Sequence, residues 1–149
     1  MRSHLQGVKV MKDRYLYPAV LKYEDDRILV SYPDLEGCLT FGKNEEEALF
    51  HAKEALEGYL YVLERDHTEI PLPSKVKDIE VDGSEAVALI DVWMPLVRDQ
   101  EANKAVKKTL TIPKWLNDIA EQNKVNFSHV LQAALKTHLG ITDYPYEKD

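Results

Sequence analysis

One cysteine in 149 residues, Cys38, rules out a disulfide within the chain and suits a reducing compartment. With no histidine near it in sequence, Cys38 reads as a small buried strand residue rather than a nucleophile. Histidine itself is sparse: His4, His51, His67, His129 and His138 show no paired ligand spacing, so neither a metal site nor a cofactor is expected. No run of about 18 apolar residues is present to form a membrane-spanning helix. The first residues lack the basic-then-apolar order of a signal peptide, so a cytoplasmic protein with no membrane partner is expected. Internal repeats and low-complexity tracts are missing too, and no run of like charge exceeds three residues.

What is present is ordinary for a globular chain, 44% hydrophobic and 30% charged, long enough for one domain or two small ones. The net charge of −7 is unevenly placed. Residues 104–140 hold six lysines against Asp118 and Glu121, a net +4, whereas the first 103 residues carry −9 and the last nine −2. Such a division suggests a basic nucleic-acid module joined to an acidic body. Because DNA repels an acidic body, the natural partner of that body is something basic.

Residues 1–10 show no pattern and are set aside as an extension. Residues 15–23 (YLYPAVLKY) are rich in aromatic and branched side chains and predict a strand, with Pro18 placing it at an edge or near a strand start. Acids at 24–26 make a turn, residues 27–32 (RILVSY) return as a second strand, and PDLEG leads to a short third strand over 38–41, stopped by Gly42. Asn44 caps a helix, with Glu47 completing a capping box. Leu49, Ala52, Leu56, Tyr59, Leu60 and Leu63 form the face expected to lie on the sheet. Residues 66–74 form a proline-containing loop. Residues 86–94 (AVALIDVWM), nearly all apolar, predict a strand covered on both sides. The order β-β-β-α-β over residues 11–97 defines a small α+β layer. Residues 98–105 (RDQEANKA) lack an apolar stripe and are expected to be a linker.

In residues 107–112, Leu110 and Ile112 alternate with Lys107, Thr109 and Thr111, the period of a strand. Pro113 suits a helix start, and Trp115, Leu116, Ile119 and Ala120 recur at helical spacing. Asn126 caps a second helix whose stripe is Phe127, Val130, Leu131, Ala134, Leu135 and Leu139, closed by Gly140. A strand and two helices in about 35 residues cannot bury those stripes alone, so a dimer is expected. Its contacts would be Leu110, Ile112, Trp115, Ile119, Val130, Leu131 and Leu135. Residues 142–149 form an acidic tail.

Residues 107–139 resemble a ribbon-helix-helix (β-α-α) DNA-binding domain, in which two chains pair strands into a ribbon that enters the major groove. The resemblance implies that Lys107, Thr109 and Thr111 face base edges, and that Asn126, Phe127 and Ser128 present backbone N–H groups to a phosphate. Lys108 and Lys124 would add contacts to DNA. In the first half, YPDLEGCLTFG followed by NEEEALFHAKEALEGYL resembles the HicB antitoxin family, over most of residues 15–95. Glu36 stands where that family frequently has proline. The resemblance implies a partial RNase H-like N-terminal domain that binds and neutralises HicA, a small basic ribonuclease toxin. It also implies repression of the chain's own operon through the DNA-binding half. Toxin-contact candidates are the turn acids Asp25, Asp26, Asp34 and Glu36. The expected assembly is a homodimer through the ribbon, with a tetramer or a hetero-oligomer with toxin if the N-terminal sheets also associate.

Two rivals stay open. An RNase H-like nuclease would need carboxylates such as Glu24, Asp34 and Asp91 to meet around Mg²⁺. A ligand-gated repressor would use the N-terminal domain to sense a small molecule.

Overall fold

Alternation along the first strand decides the layering. In the computed structural model, which describes residues 11–141, β1 (Arg14–Tyr23) sends Tyr15, Tyr17, Ala19 and Leu21 to one face of a sheet, where all four are buried. That sheet has four strands in the order β3-β2-β1-β4, with β2 at Ile28–Ser31, β3 at Leu39–Gly42 and β4 at Glu85–Trp93, every neighbouring pair antiparallel. Helix α1 (Glu45–Arg65) covers the face of Tyr15 and Tyr17 and presents Ala48, Ala52, Leu56 and Leu60 to it. α2 (Met94–Ala102) adds Met94 and Val97 to the same core. The mixed α+β order expected from the sequence is therefore present, with one further helix.

Residues 11–105 and residues 106–141 belong to two compact units. Among the described residues, every buried apolar one lies in the first. The readings made for residues 1–10 and 142–149 fall outside the described residues.

Close approach sets the first unit's geometry. A Cβ on Gly42 would overlap the backbone N and Cα of Ala48, so only glycine lets α1 start this near β3. Asn44 caps the helix, its Oδ1 accepting from the Glu47 N–H at 2.8 Å. Two alanines on the buried line keep the helix low. That narrow line, repeating every four residues, leaves Leu49 exposed, contrary to the face drawn from sequence. The turn after β2 is fastened to α1 as well. The Tyr32 hydroxyl donates to the Ala52 carbonyl, the Cys38 thiol faces the Ala55 carbonyl at 3.7 Å, and the Tyr59 hydroxyl donates to the Glu36 carbonyl at 2.9 Å.

Three further expectations are corrected. β4 is not covered on both sides: it is an edge strand, and although Ile90 and Val92 are buried, Leu89, Asp91 and Trp93 on its other face are exposed. An uninterrupted apolar run carries no mark of which face stays bare. The stretch expected as a linker, 98–105, is mostly the end of α2, held by ion pairs instead of an apolar stripe. Residues 104–113, expected to contain a strand, pair with no other described segment of the chain. A strand needs a neighbour to hold its backbone groups, and the ribbon reading takes that neighbour from a second copy.

Two outcomes test this packing. Gly42→Ala should lower the stability of the first unit by about 2 kcal/mol, read by denaturant unfolding, because backbone rather than a flexible side chain occupies the space. Burial pushes the Tyr17 hydroxyl up to about 12 and the Cys38 thiol up to about 11. The folded state then holds protons that the unfolded chain releases, so stability falls as pH rises between about 9 and about 12. Tyr17→Phe should flatten part of that slope in unfolding curves taken at a series of alkaline pH values.

Candidate functional site

The acidic turns are unlike one another. Between β1 and β2, the Glu24 N–H donates to the Arg27 carbonyl at 2.9 Å and the side chains of the same two residues pair at 3.4 Å, leaving Asp25 and Asp26 exposed at the tip. After β2, both oxygens of Asp34 are occupied, taking the Ser74 N–H at 2.9 Å and the Ser74 hydroxyl at 2.5 Å. Asp34 thus holds the loop that follows α1, and so does Tyr17, whose hydroxyl donates to the Pro71 carbonyl. Glu36 keeps an exposed side chain, and its carbonyl serves Tyr59. Of the four acids proposed from sequence, Asp25, Asp26 and Glu36 are free to meet a partner and Asp34 has a structural task.

The three carboxylates considered for Mg²⁺ do not meet. Asp91 lies opposite Leu16 and pairs with Arg14 at 3.7 Å. Glu24 sits past the other end of β1, eight residues along, or roughly 26 Å at a strand's rise. Among the described residues, no group of three His, Cys, Asp or Glu is placed to hold a metal ion. Cys38 is buried in the core, its thiol held protonated by desolvation, the opposite of an activated nucleophile.

One residue the sequence reading treated as linker is a structural hub. Arg98 grips Glu64 with Nε at 2.9 Å and Nη2 at 2.7 Å, and reaches Asp13 at 3.1 Å and the Lys12 carbonyl at 2.9 Å. It ties α2 to the end of α1 and to the entry of β1. The helix start was legible after all, since Pro95 follows Met94 where proline is favoured in a first turn. A shallow groove of about 580 Å³ lies along β3 and α1, lined by Thr40, Phe41, Lys43, Glu47, His51 and Glu54, with His51 Nδ1 2.8 Å from the Phe41 carbonyl.

The second unit consists of residues 106–113 without regular structure, α3 (Lys114–Gln122) and α4 (Phe127–Leu139). The Pro113 carbonyl accepts from Asn117, so proline stands just before the first helical residue rather than on it. Lys124 takes a left-handed conformation in the turn, φ +52°. Asn126 Oδ1 accepts the His129 N–H at 3.1 Å, and Gly140 closes α4 at φ +69°. The other N–H groups of the first turn, at Phe127 and Ser128, have no acceptor within the helix and face outward from its positive end. Lys107, Lys108, Thr109 and Thr111 lie together on the irregular segment before α3. No described residue of this unit is buried: Trp115 is 64% exposed and Leu110 61%, and Ile112, Ile119, Val130 and Leu135 are exposed too.

Comparison with known proteins agrees with this architecture. The family described as HicB_like antitoxin of bacterial toxin-antitoxin system matches the chain over residues 17–135. An uncharacterized 14.9 kDa protein of Haemophilus phage HP1 is 28% identical over 101 residues, 68% of this chain and 75% of that one. A UPF0150 protein of Thermoplasma acidophilum is 40% identical over 52 residues, 35% of this chain and 75% of its own. Among solved structures, a toxin-antitoxin complex from Streptococcus pneumoniae contains a chain that is 26% identical, with a TM-score of 0.56. The alignment covers 84% of this chain and 99% of that one. The Burkholderia pseudomallei antitoxin HicB shares the fold at a TM-score of 0.52 and 19% identity, over 83% and 98% of the two chains. The fold defines a sheet-and-helix unit followed by a helical pair, as in bacterial antitoxins. The chain belongs to the HicB-like antitoxin family.

Removal of the hub is the test of this site's scaffold. Arg98→Ala leaves Glu64, only 7% exposed at its side chain, without its cation. The expected loss is about 2 kcal/mol, set below the figure for a fully buried pair because Arg98 is partly in solvent. Thermal unfolding of the first unit would show it.

Proposed function

We propose that this chain binds and neutralises a small basic HicA-like ribonuclease through its first unit and represses its own operon by binding operator DNA through its second. The observation that carries the DNA half is the absence of any buried residue from 106 to 141, although that stretch holds two amphipathic helices and an alternating segment. Two copies would supply the missing core by pairing residues 107–112 into a ribbon and burying Leu110, Ile112, Trp115, Ile119, Val130, Leu131 and Leu135 between them. Lys107, Thr109 and Thr111 on the ribbon would meet base edges. Lys108, Lys124 and the start of α4 at Asn126, Phe127 and Ser128 would meet phosphates.

For the toxin half, support comes from the family and from charge. The partial RNase H-like layer belongs to the acidic part of the chain, and a basic ribonuclease would be steered to it. Asp25, Asp26 and Glu36 are the exposed acids assigned to that contact. The separation of Glu24 from Asp91 argues against a two-carboxylate metal centre in this layer.

The test joins both halves. The full chain should retard DNA from upstream of its own gene, and Leu110→Asp should abolish that binding while leaving the first unit's unfolding transition in place. Lys107→Ala should cost about tenfold in operator affinity. Co-expression with the product of the adjoining reading frame, which this reading expects to be a small basic protein, should yield a complex that Leu110→Asp retains and in which ribonuclease activity is lost. Retention of operator binding by Leu110→Asp, or no complex with that protein, would overturn the respective half.

A further inference from the structure

Glycine inside a helix weakens it relative to alanine, because glycine loses more conformational freedom on folding than any other residue. Gly58 stands well inside α1, on its exposed surface, and a Cβ built there would meet nothing within 4 Å. The backbone of Ala48 demands the glycine at 42, whereas no described residue makes the same demand at 58. A missing side chain at an open position serves something that approaches the helix backbone from outside.

The surroundings of Gly58 are shaped to receive it. At helical spacing, Glu47, His51, Glu54, Gly58 and Val62 form a second line along α1, apart from the buried line of Ala48, Ala52, Leu56 and Leu60. The first three of them wall the groove shared with Thr40 and Phe41 of β3, and His51 is held there by the Phe41 carbonyl. One turn past Glu54, Gly58 continues that surface with no side chain, and Val62 continues it with an exposed apolar one. The next residue after Gly58, Tyr59, holds the Glu36 carbonyl, so the exposed acid at 36 borders the same turn.

Charge selects the occupant. α1 carries six glutamates against Lys53 and Arg65. Glu64 is taken by Arg98, and Arg65 by Asp66 at 3.1 Å. Among the described residues none of the other five, at 45, 46, 47, 54 and 57, forms an ion pair. Such a face repels DNA, a second copy of the acidic unit, and the chain's own last nine residues at −2. It suits a basic protein.

We propose that the α1 line from Glu47 to Val62, with its groove, is where the basic ribonuclease partner docks, its backbone or a flat side chain lying against Gly58 and its cations against Glu47 and Glu54. This rests on the toxin-binding reading above and deepens it: the contact extends from Glu36 onto the helix, and the glycine trades helix stability for close approach.

The experiment measures stability and affinity on the same full-length variants, with the product of the adjoining reading frame as ligand. Gly58→Ala should raise the denaturant midpoint of the first unit and yet weaken the complex about tenfold, since a well-packed interface tolerates an added methyl as poorly as a core does. Gly58→Gln, longer but still helix-favouring, should weaken it further, and Glu54→Gln should weaken it through lost charge. A Gly58→Ala chain that binds as tightly as the unmodified one, or one that is less stable, overturns the proposal, and so does full affinity in Glu54→Gln. In those cases the complex itself still forms and the toxin-binding reading stands. If the unmodified chain forms no complex, both fall together.

Discussion

Among the described residues, burial is confined to the first unit, most of it on the side of the sheet that α1 covers. The core runs from Tyr15 to Val97, and past Val97 no described residue is buried. Apolar surface left in water costs roughly 25 cal/mol for each Å². The seven residues assigned to pairing in the second unit are thus a standing demand for a partner. The first unit meets most of its demand internally, with Ala48, Ala52, Leu56 and Leu60 pressed onto Tyr17, Ala19, Val30 and Val92. The second cannot, because two short helices have only each other.

Electrostatics follows the same division. The first 103 residues carry −9 and residues 104–140 carry +4, so on the proposed reading the two parts suit partners of opposite charge. Within the first unit, however, several charges are bound up in the fold. Arg98 is committed to Glu64 and Asp13, Asp34 to Ser74, and Arg14 to Asp91. Exposed carboxylates remain at the turn tips, at Asp25, Asp26 and Glu36, along the outer side of α1, and in the loop after it at Glu69, Asp78 and Glu80. A polyanion would be turned away from this unit, whereas a basic protein would find exposed carboxylates on a rigid frame.

Much of the fold was legible because local chemistry and global packing agreed. The aromatic and branched residues of YLYPAVLKY, the Asn44 cap and the shared part of the α1 face, Ala52, Leu56 and Leu60, each point to the same layer. The readings that failed did so where one chain's pattern is ambiguous. Nothing in AVALIDVW distinguishes a strand covered twice from an edge strand with one bare apolar face. RDQEANKA looked like a linker because this part of α2 is held by one guanidinium, to Glu64 of α1 and to Asp13 ahead of β1, an arrangement without periodicity. Of the acids nominated as a site, Asp34 was indistinguishable from Asp25 until Ser74, forty residues on, came to lie against it. The segment 107–112 has the alternation of a strand but no neighbour within the chain, and the period of side chains says nothing about where a neighbour comes from.

The unequal burial has a consequence for regulation on the proposed reading. A unit whose core comes from two copies is folded only to the extent that the chain is concentrated, whereas a unit with its own core is folded at any concentration. As the chain is diluted or degraded, operator binding would therefore fail before toxin binding does. The first molecules made would neutralise toxin, and repression would begin only once copies are abundant enough to pair. The placement of the core, rather than any single side chain, would then set the order in which the two activities appear.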